Sequence, residues 1–251
     1  MQPFHYEIFV VNYLVLTSFV ILIALVWPFI RVATLSWIYI GLLLLGVIEI
    51  AFVSAVFNQR DVAKDRMIPV ALRLKEVSTR QGSSSLSKLI FSPDMELMQL
   101  LPTFAPQATL LGIGSVDFGS ATHEQRKLFL FAHLYYSGVS PDRLREIIRG
   151  ISTELQTSYY VRYVMFGHER VRAVFSLNFQ PLTDVEIEKE LTAYAQFVNS
   201  FSREMVLSRP LSFSVSAVDD QFDYANIDRW YLRSPGEQVG DFVLYRLQVR
   251  P

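Results

Sequence analysis

Cysteine is absent from this chain of 251 residues, which excludes disulfides, thiolate metal sites and cysteine nucleophiles but leaves the redox compartment open. Histidine is scarce, with four in all. Where it meets glutamate, at His123-Glu124 and His168-Glu169, the second imidazole that a zinc-protease helix needs one turn later is missing, so no metal is expected. Charge of one sign is not in excess either. A net charge of −1 gives no electrostatic case for nucleic acid, which is not expected as a partner. No G-x-S-x-G elbow occurs to expose a serine nucleophile. In GIGSVDFG, residues 112–119, the third glycine falls two positions late for the dinucleotide fingerprint, and the Asp117-Phe118-Gly119 tripeptide lacks the other kinase loops. A glycine turn between a strand and a helix accounts for that segment, and no cofactor is expected.

What is present is apolar. Hydrophobic residues make up 51% of the chain and mean hydropathy is +0.27, and the excess is concentrated in residues 9–30 and 37–57. Each run has about twenty mainly apolar positions, enough to cross a hydrocarbon core of roughly 30 Å as a helix. The expectation is a two-helix transmembrane hairpin over residues 1–57, antiparallel because residues 31–36 leave only a short turn, with the lipid bilayer as its first partner. A cleaved signal peptide fits the first run less well, for no basic start precedes it and no small-residue cleavage site follows. Glu49 interrupts the second run (LLLLGVIEIAF), and an ionisable group at that depth normally faces protein or a wet cavity. Glu49 is therefore a candidate binding residue, facing the helices of another membrane protein. The alternative is a hydroxyl of its own hairpin, from Thr17 or Ser18.

After the runs, RDVAKDRMIPVALRLKEV reads as an amphipathic exit helix kinked at Pro69, and RQGSSSLS as a linker; together they fill residues 58–87. Residues 88–251 read as an α/β soluble domain, a mixed sheet with flanking helices. Strand patterns at 88–91 and 108–114 enclose a helix opening at Ser92 or Asp94, which makes a parallel pair. Thr122 with Gln125, and Thr183 with Glu186, are capping boxes, and Ser140-Pro141 opens a further helix. Strands are expected at 171–179, 211–218 and 241–249.

Paired acids occur at Asp219-Asp220 and across Asp223 and Asp228, in polar loops where solvation is the ordinary role. The densest polar and aromatic cluster is FDYANIDRWYLR, residues 222–233. There Asp228, Arg229, Trp230 and Tyr231 could grip a sugar ring by stacking and bidentate hydrogen bonds, or form an aromatic corner under the last hairpin. No catalytic constellation emerges.

Three segments, SPDMELMQLLPTFAPQATLLGI, HLYYSGV and IDRWYLRSPGEQVGDFVLYRL, give residues 36–251 a pattern that resembles the carboxyl-terminal portion of bacterial multi-spanning C-type glycosyltransferase-like membrane proteins. The resemblance implies last spans followed by an extracytoplasmic α/β domain, and an activity dependent on lipid-linked sugar. The catalytic acid of that class belongs to a first extracytoplasmic loop. RVATLS, the connection here, holds no acid, so no catalytic residue carries over. The expected location is the bacterial plasma membrane with the carboxyl domain outside. Arg60, Lys64, Arg66, Arg73 and Lys75 after the second run argue instead for a cytoplasmic domain by the positive-inside rule. The leading expectation is a non-catalytic membrane-anchored protein whose domain binds or positions a partner in cell-envelope glycan assembly. The alternatives are a fragment or subunit of a lipid-linked-sugar glycosyltransferase and a cytoplasmic-facing scaffold or sensor.

Overall fold

The computed structural model divides the chain into two compact units, residues 1–60 and 61–251. It describes residues 17, 18, 21, 40, 41, 43–48 and 51 of the first, and residues 64–80, 89–105, 107–112, 122–150, 155–167, 170–171 and 180–251 of the second. In the first unit the described positions are helical, and Ile40, Leu43, Leu44, Leu45, Val47 and Ile48 are largely exposed.

Among the described residues no helix is long and apolar enough to cross a membrane. That finding overturns the expected transmembrane hairpin, and with it the expected plasma-membrane location on either side. The longest described helix, Asp184–Ser200, has 17 residues, spans about 25 Å at 1.5 Å per residue, and carries Asp184, Glu186, Glu188, Lys189 and Glu190. Most of the two apolar runs, including Glu49, lies outside the described residues.

Among the described residues the second unit is built on a six-stranded mixed sheet. Its described elements are α1 (Ile68–Arg80), β1 (Leu89–Phe91), α2 (Met95–Phe104), β2 (Ala108–Thr109), α3 (His123–Tyr136), α4 (Pro141–Arg149), α5 (Leu155–Phe166), α6 (Asp184–Ser200), α7 (Arg203–Ser208), β3 (Leu211–Ala217), α8 (Ala225–Asp228), β4 (Tyr231–Arg233), β5 (Glu237–Val239) and β6 (Phe242–Val249). The strands run in the order β2-β1-β3-β6-β4, and β5 also pairs with β6. β1 is parallel to both β2 and β3, whereas β6 is antiparallel to β3, β4 and β5.

Helix ends follow local chemistry. Thr122 and Thr183 close both halves of their capping boxes with Gln125 and Glu186. Ser140 caps α4, with Pro141 at its first position and Gly150 (φ 70°) ending it in the left-handed conformation. The helix leading into the sheet is interrupted beside its proline: Lys64 and Asp65 are helical, Arg66 and Met67 form a turn, and α1 resumes at Ile68 with Pro69 in its first turn, where a missing N–H costs nothing. α1 belongs to the second unit: the Gln107 Nε2 donates to the Leu74 carbonyl (2.9 Å), and Arg73 pairs with Glu237 on β5 (2.6 Å). The Gly/Ser linker and the expected strand 171–179 lie outside the described residues.

β3 is buried along most of its length, from Leu211 through Ser216, as a central strand covered on both faces should be. An aromatic cluster joins sheet to helices: Tyr135 stacks on Phe201 with ring centroids 4.0 Å apart, and Tyr136 lies between Phe91 and Tyr231.

Candidate functional site

The chain leaves β1 toward β2 on one side of the sheet, then crosses back past β1 through α3 to α7 to reach β3 on the other. Beyond β3 it moves away again toward β4. A sheet wound in two directions parts its connections at the carboxyl ends of the strands where the direction reverses, and ligands of open α/β sheets lodge there. Here those strands are β1 and β3, and a cleft of about 700 Å3 opens at their carboxyl ends.

Its walls come from the turn after β1 (Pro93, Asp94, Glu96), the end of α3 with its turn (His133, Ser137, Gly138), α4 (Arg143), and the segment after β3 (Ala217, Asp220, Phe222). Asp94 is the N-cap of α2. Its carboxylate accepts hydrogen bonds from the backbone N–H groups of Glu96 (2.8 Å) and Leu97 (3.1 Å), and its own N–H donates to Ser92 Oγ (3.1 Å). Burial pushes the Asp94 carboxyl above its usual range, outweighing those two hydrogen bonds, and the nearby carboxylates of Glu96 and Asp220 push the same way. Neither Asp94, Glu96 nor Asp220 enters an ion pair among the described residues. Arg143, the one arginine or lysine among the described lining residues, is paired with Glu146 at 2.7 Å.

His133 stands behind this acidic mouth, 3% exposed, with its ring 5.3 Å from that of Phe91. Burial holds its pKa down to about 4, so the imidazole is neutral at physiological pH. Its Nδ1 and the Ser137 Oγ are both buried without a hydrogen-bond partner. A buried polar atom left unmatched costs about 1–3 kcal/mol, so two of them at one cleft are an unusual expense. No group of three or more His, Asp or Glu side chains that could hold a metal ion occurs among the described residues.

The residues singled out from the sequence sit elsewhere. Glu49 lies outside the described residues. Asp228 receives a two-pronged hydrogen bond from Arg233 (2.5 and 2.8 Å), and Arg233 in turn lies over the Tyr224 ring at 4.0 Å. Trp230 donates its Nε1 proton to the Tyr135 hydroxyl (2.8 Å), and Arg229 is exposed above the Trp230 ring at 4.9 Å. Tyr231 is fully buried, its hydroxyl accepting from the Leu211 N–H at 3.0 Å. Asp228, Arg229, Trp230 and Tyr231 therefore stand together at the start of β4, with the polar groups of Asp228, Trp230 and Tyr231 bonded within the protein.

Sequence reasoning passed over Asp94 except as a cap, and it passed over Glu96, His133 and Phe222 altogether. One signal was available: Asp94 and Glu96 directly follow a strand of a parallel pair, at the end of the sheet where ligands gather. No family model, curated protein or solved structure matches the chain. The likeness to glycosyltransferase-like membrane proteins accordingly stands on the quoted segments alone.

Proposed function

We propose that residues 61–251 form a binding domain that holds a small ligand in the cleft at the carboxyl ends of β1 and β3, and that the chain acts by binding rather than by catalysis. The observation that carries this reading is the position and size of the cleft. At about 700 Å3 it falls within the range of small-molecule sites, and it sits where a doubly wound sheet leaves room for one. The Nδ1 of His133 and the Oγ of Ser137, on two of the lining residues, are each closed off from solvent and lack hydrogen-bond partners. Binding is favoured over chemistry by the same residues. A catalytic base is normally tuned toward the working pH and oriented by a second group, and His133 has neither property.

A ligand-observed NMR fragment screen on the full chain tests the proposal by comparing it with Ala217→Trp, which places an indole in the cleft. Fragments that bind the parent protein and lose binding to the variant support the site. Fragments that bind both equally place the binding surface elsewhere.

A further inference from the structure

We infer that the second unit associates head to tail with further copies of the chain, the arginine-bearing end of its sheet docking on the carboxylate-bearing end of the next copy. β6 runs antiparallel to both β3 and β4, so the amino ends of β3 and β4 lie together with the carboxyl end of β6. Arg209 stands two residues before β3, Arg229 two before β4, and Arg250 directly after β6, with Arg246 four positions back along that strand. All of these arginines are exposed. The backbone N–H of Arg250 donates to the Trp230 carbonyl at 2.8 Å, which holds these segments side by side.

At the other end, about 20 Å away along the seven residues of β3 at 3.3 Å each, the exposed Asp219, Asp220 and Asp223 follow the strand. Neither set of charges is answered within the chain. None of these arginines and aspartates enters an ion pair among the described residues. The nearby groups that could neutralise them are engaged: Asp228 by Arg233, Arg66 by Asp241 and Arg143 by Glu146. Arg209 and Arg229 instead lie over the rings of Phe129 (4.2 Å) and Trp230 (4.9 Å), contacts that orient a guanidinium and leave its charge intact. A second copy is the partner that answers both ends through a single kind of contact, and a net charge of −1 lets copies approach without strong overall repulsion. One exposed ion pair contributes little. Several brought together, as two complementary clusters are, set register and hold the contact.

Sedimentation velocity of the full chain over a range of protein concentrations tests the inference, at about 0.01 M and 0.15 M salt, where the Debye length is about 30 Å and 8 Å. Reversible, concentration-dependent growth is expected at the lower salt, weakened about tenfold or more at the higher. Arg229→Glu with Arg246→Glu should abolish it, as should Asp219→Lys with Asp220→Lys. Mixing those two variants should restore it, because each then offers the other an end of opposite charge. Circular dichroism checks that each is folded; where a reversal unfolds the chain, Arg229→Gln with Arg246→Gln, or Asp219→Asn with Asp220→Asn, takes its place and should weaken association about tenfold. A parent chain that stays monomeric at the lower salt, association that persists in a folded variant, or a mixture of the two reversed variants that fails to regain it overturns the inference.

Discussion

Burying an imidazole with no partner for Nδ1 sets the acid response of His133. Its pKa is lowered from 6.5 to about 4 in the folded chain, so the unfolded state takes up the proton first as pH falls. The associated stability is fully present above pH 6.5, is lost progressively down to about 4, and amounts to about 3 kcal/mol at 1.36 kcal/mol per unit. Urea unfolding at pH 7.5 and pH 4.5 should show this loss in the parent chain and a smaller one in His133→Gln; equal losses would refute the assignment. Tyr231 makes a second case at this scale. Removing its hydroxyl in Tyr231→Phe strands the buried Leu211 N–H and should cost about 1–3 kcal/mol in the same measurement. Neither residue's situation can be read from neighbours in sequence. Tyr231 suited either a sugar grip or an aromatic corner because its aromatic, polar-tipped character is visible in the chain, whereas the buried Leu211 N–H that occupies its hydroxyl comes from another strand.

Between elements, the pair Lys127–Glu190 ties α3 to α6 at 2.9 Å, with side chains only 13% and 11% exposed. Charges that far from water depend on each other, so Lys127→Met should destabilise by about 3–5 kcal/mol, and adding Glu190→Leu should recover most of it. A double-mutant cycle in urea checks the point, and additive losses would contradict it. Where β5 passes β6, Gly236 has no room for a side chain: a Cβ would sit 2.6 Å from Val243 Cγ1 and 2.8 Å from Tyr245 Cε1. Gly236→Ala should cost about 1–3 kcal/mol by thermal unfolding. Elements whose ends are set by local bonds were legible in the sequence, as at Thr122, Thr183 and Ser140, because a cap and the amides it serves lie within three residues. α5 was not anticipated. Its stretch LQTSYYVRYVMF is rich in β-branched and aromatic residues, and its helical form owes more to packing against α3 and α4 than to propensity.

At the scale of the molecule, the alternation of helix and strand from Leu89 to Thr109 announced the parallel pair, and the period-2 segments at the carboxyl end announced β3 and β6. Hydropathy alone pointed to membrane spans, and no helix among the described residues meets the length and apolarity that crossing requires. The cleft was illegible for a topological reason. Glu96, His133 and Asp220 are far apart in the chain and meet only because β3 inserts beside β1 after a crossover through α3 to α7. The reading of this chain as a binding protein stands on that meeting place. Its most direct test is a crystallographic fragment screen of the full chain. Density for bound fragments should gather between Asp94, Asp220 and Phe222; fragments gathered on other surfaces, with that space holding only solvent, would contradict the account.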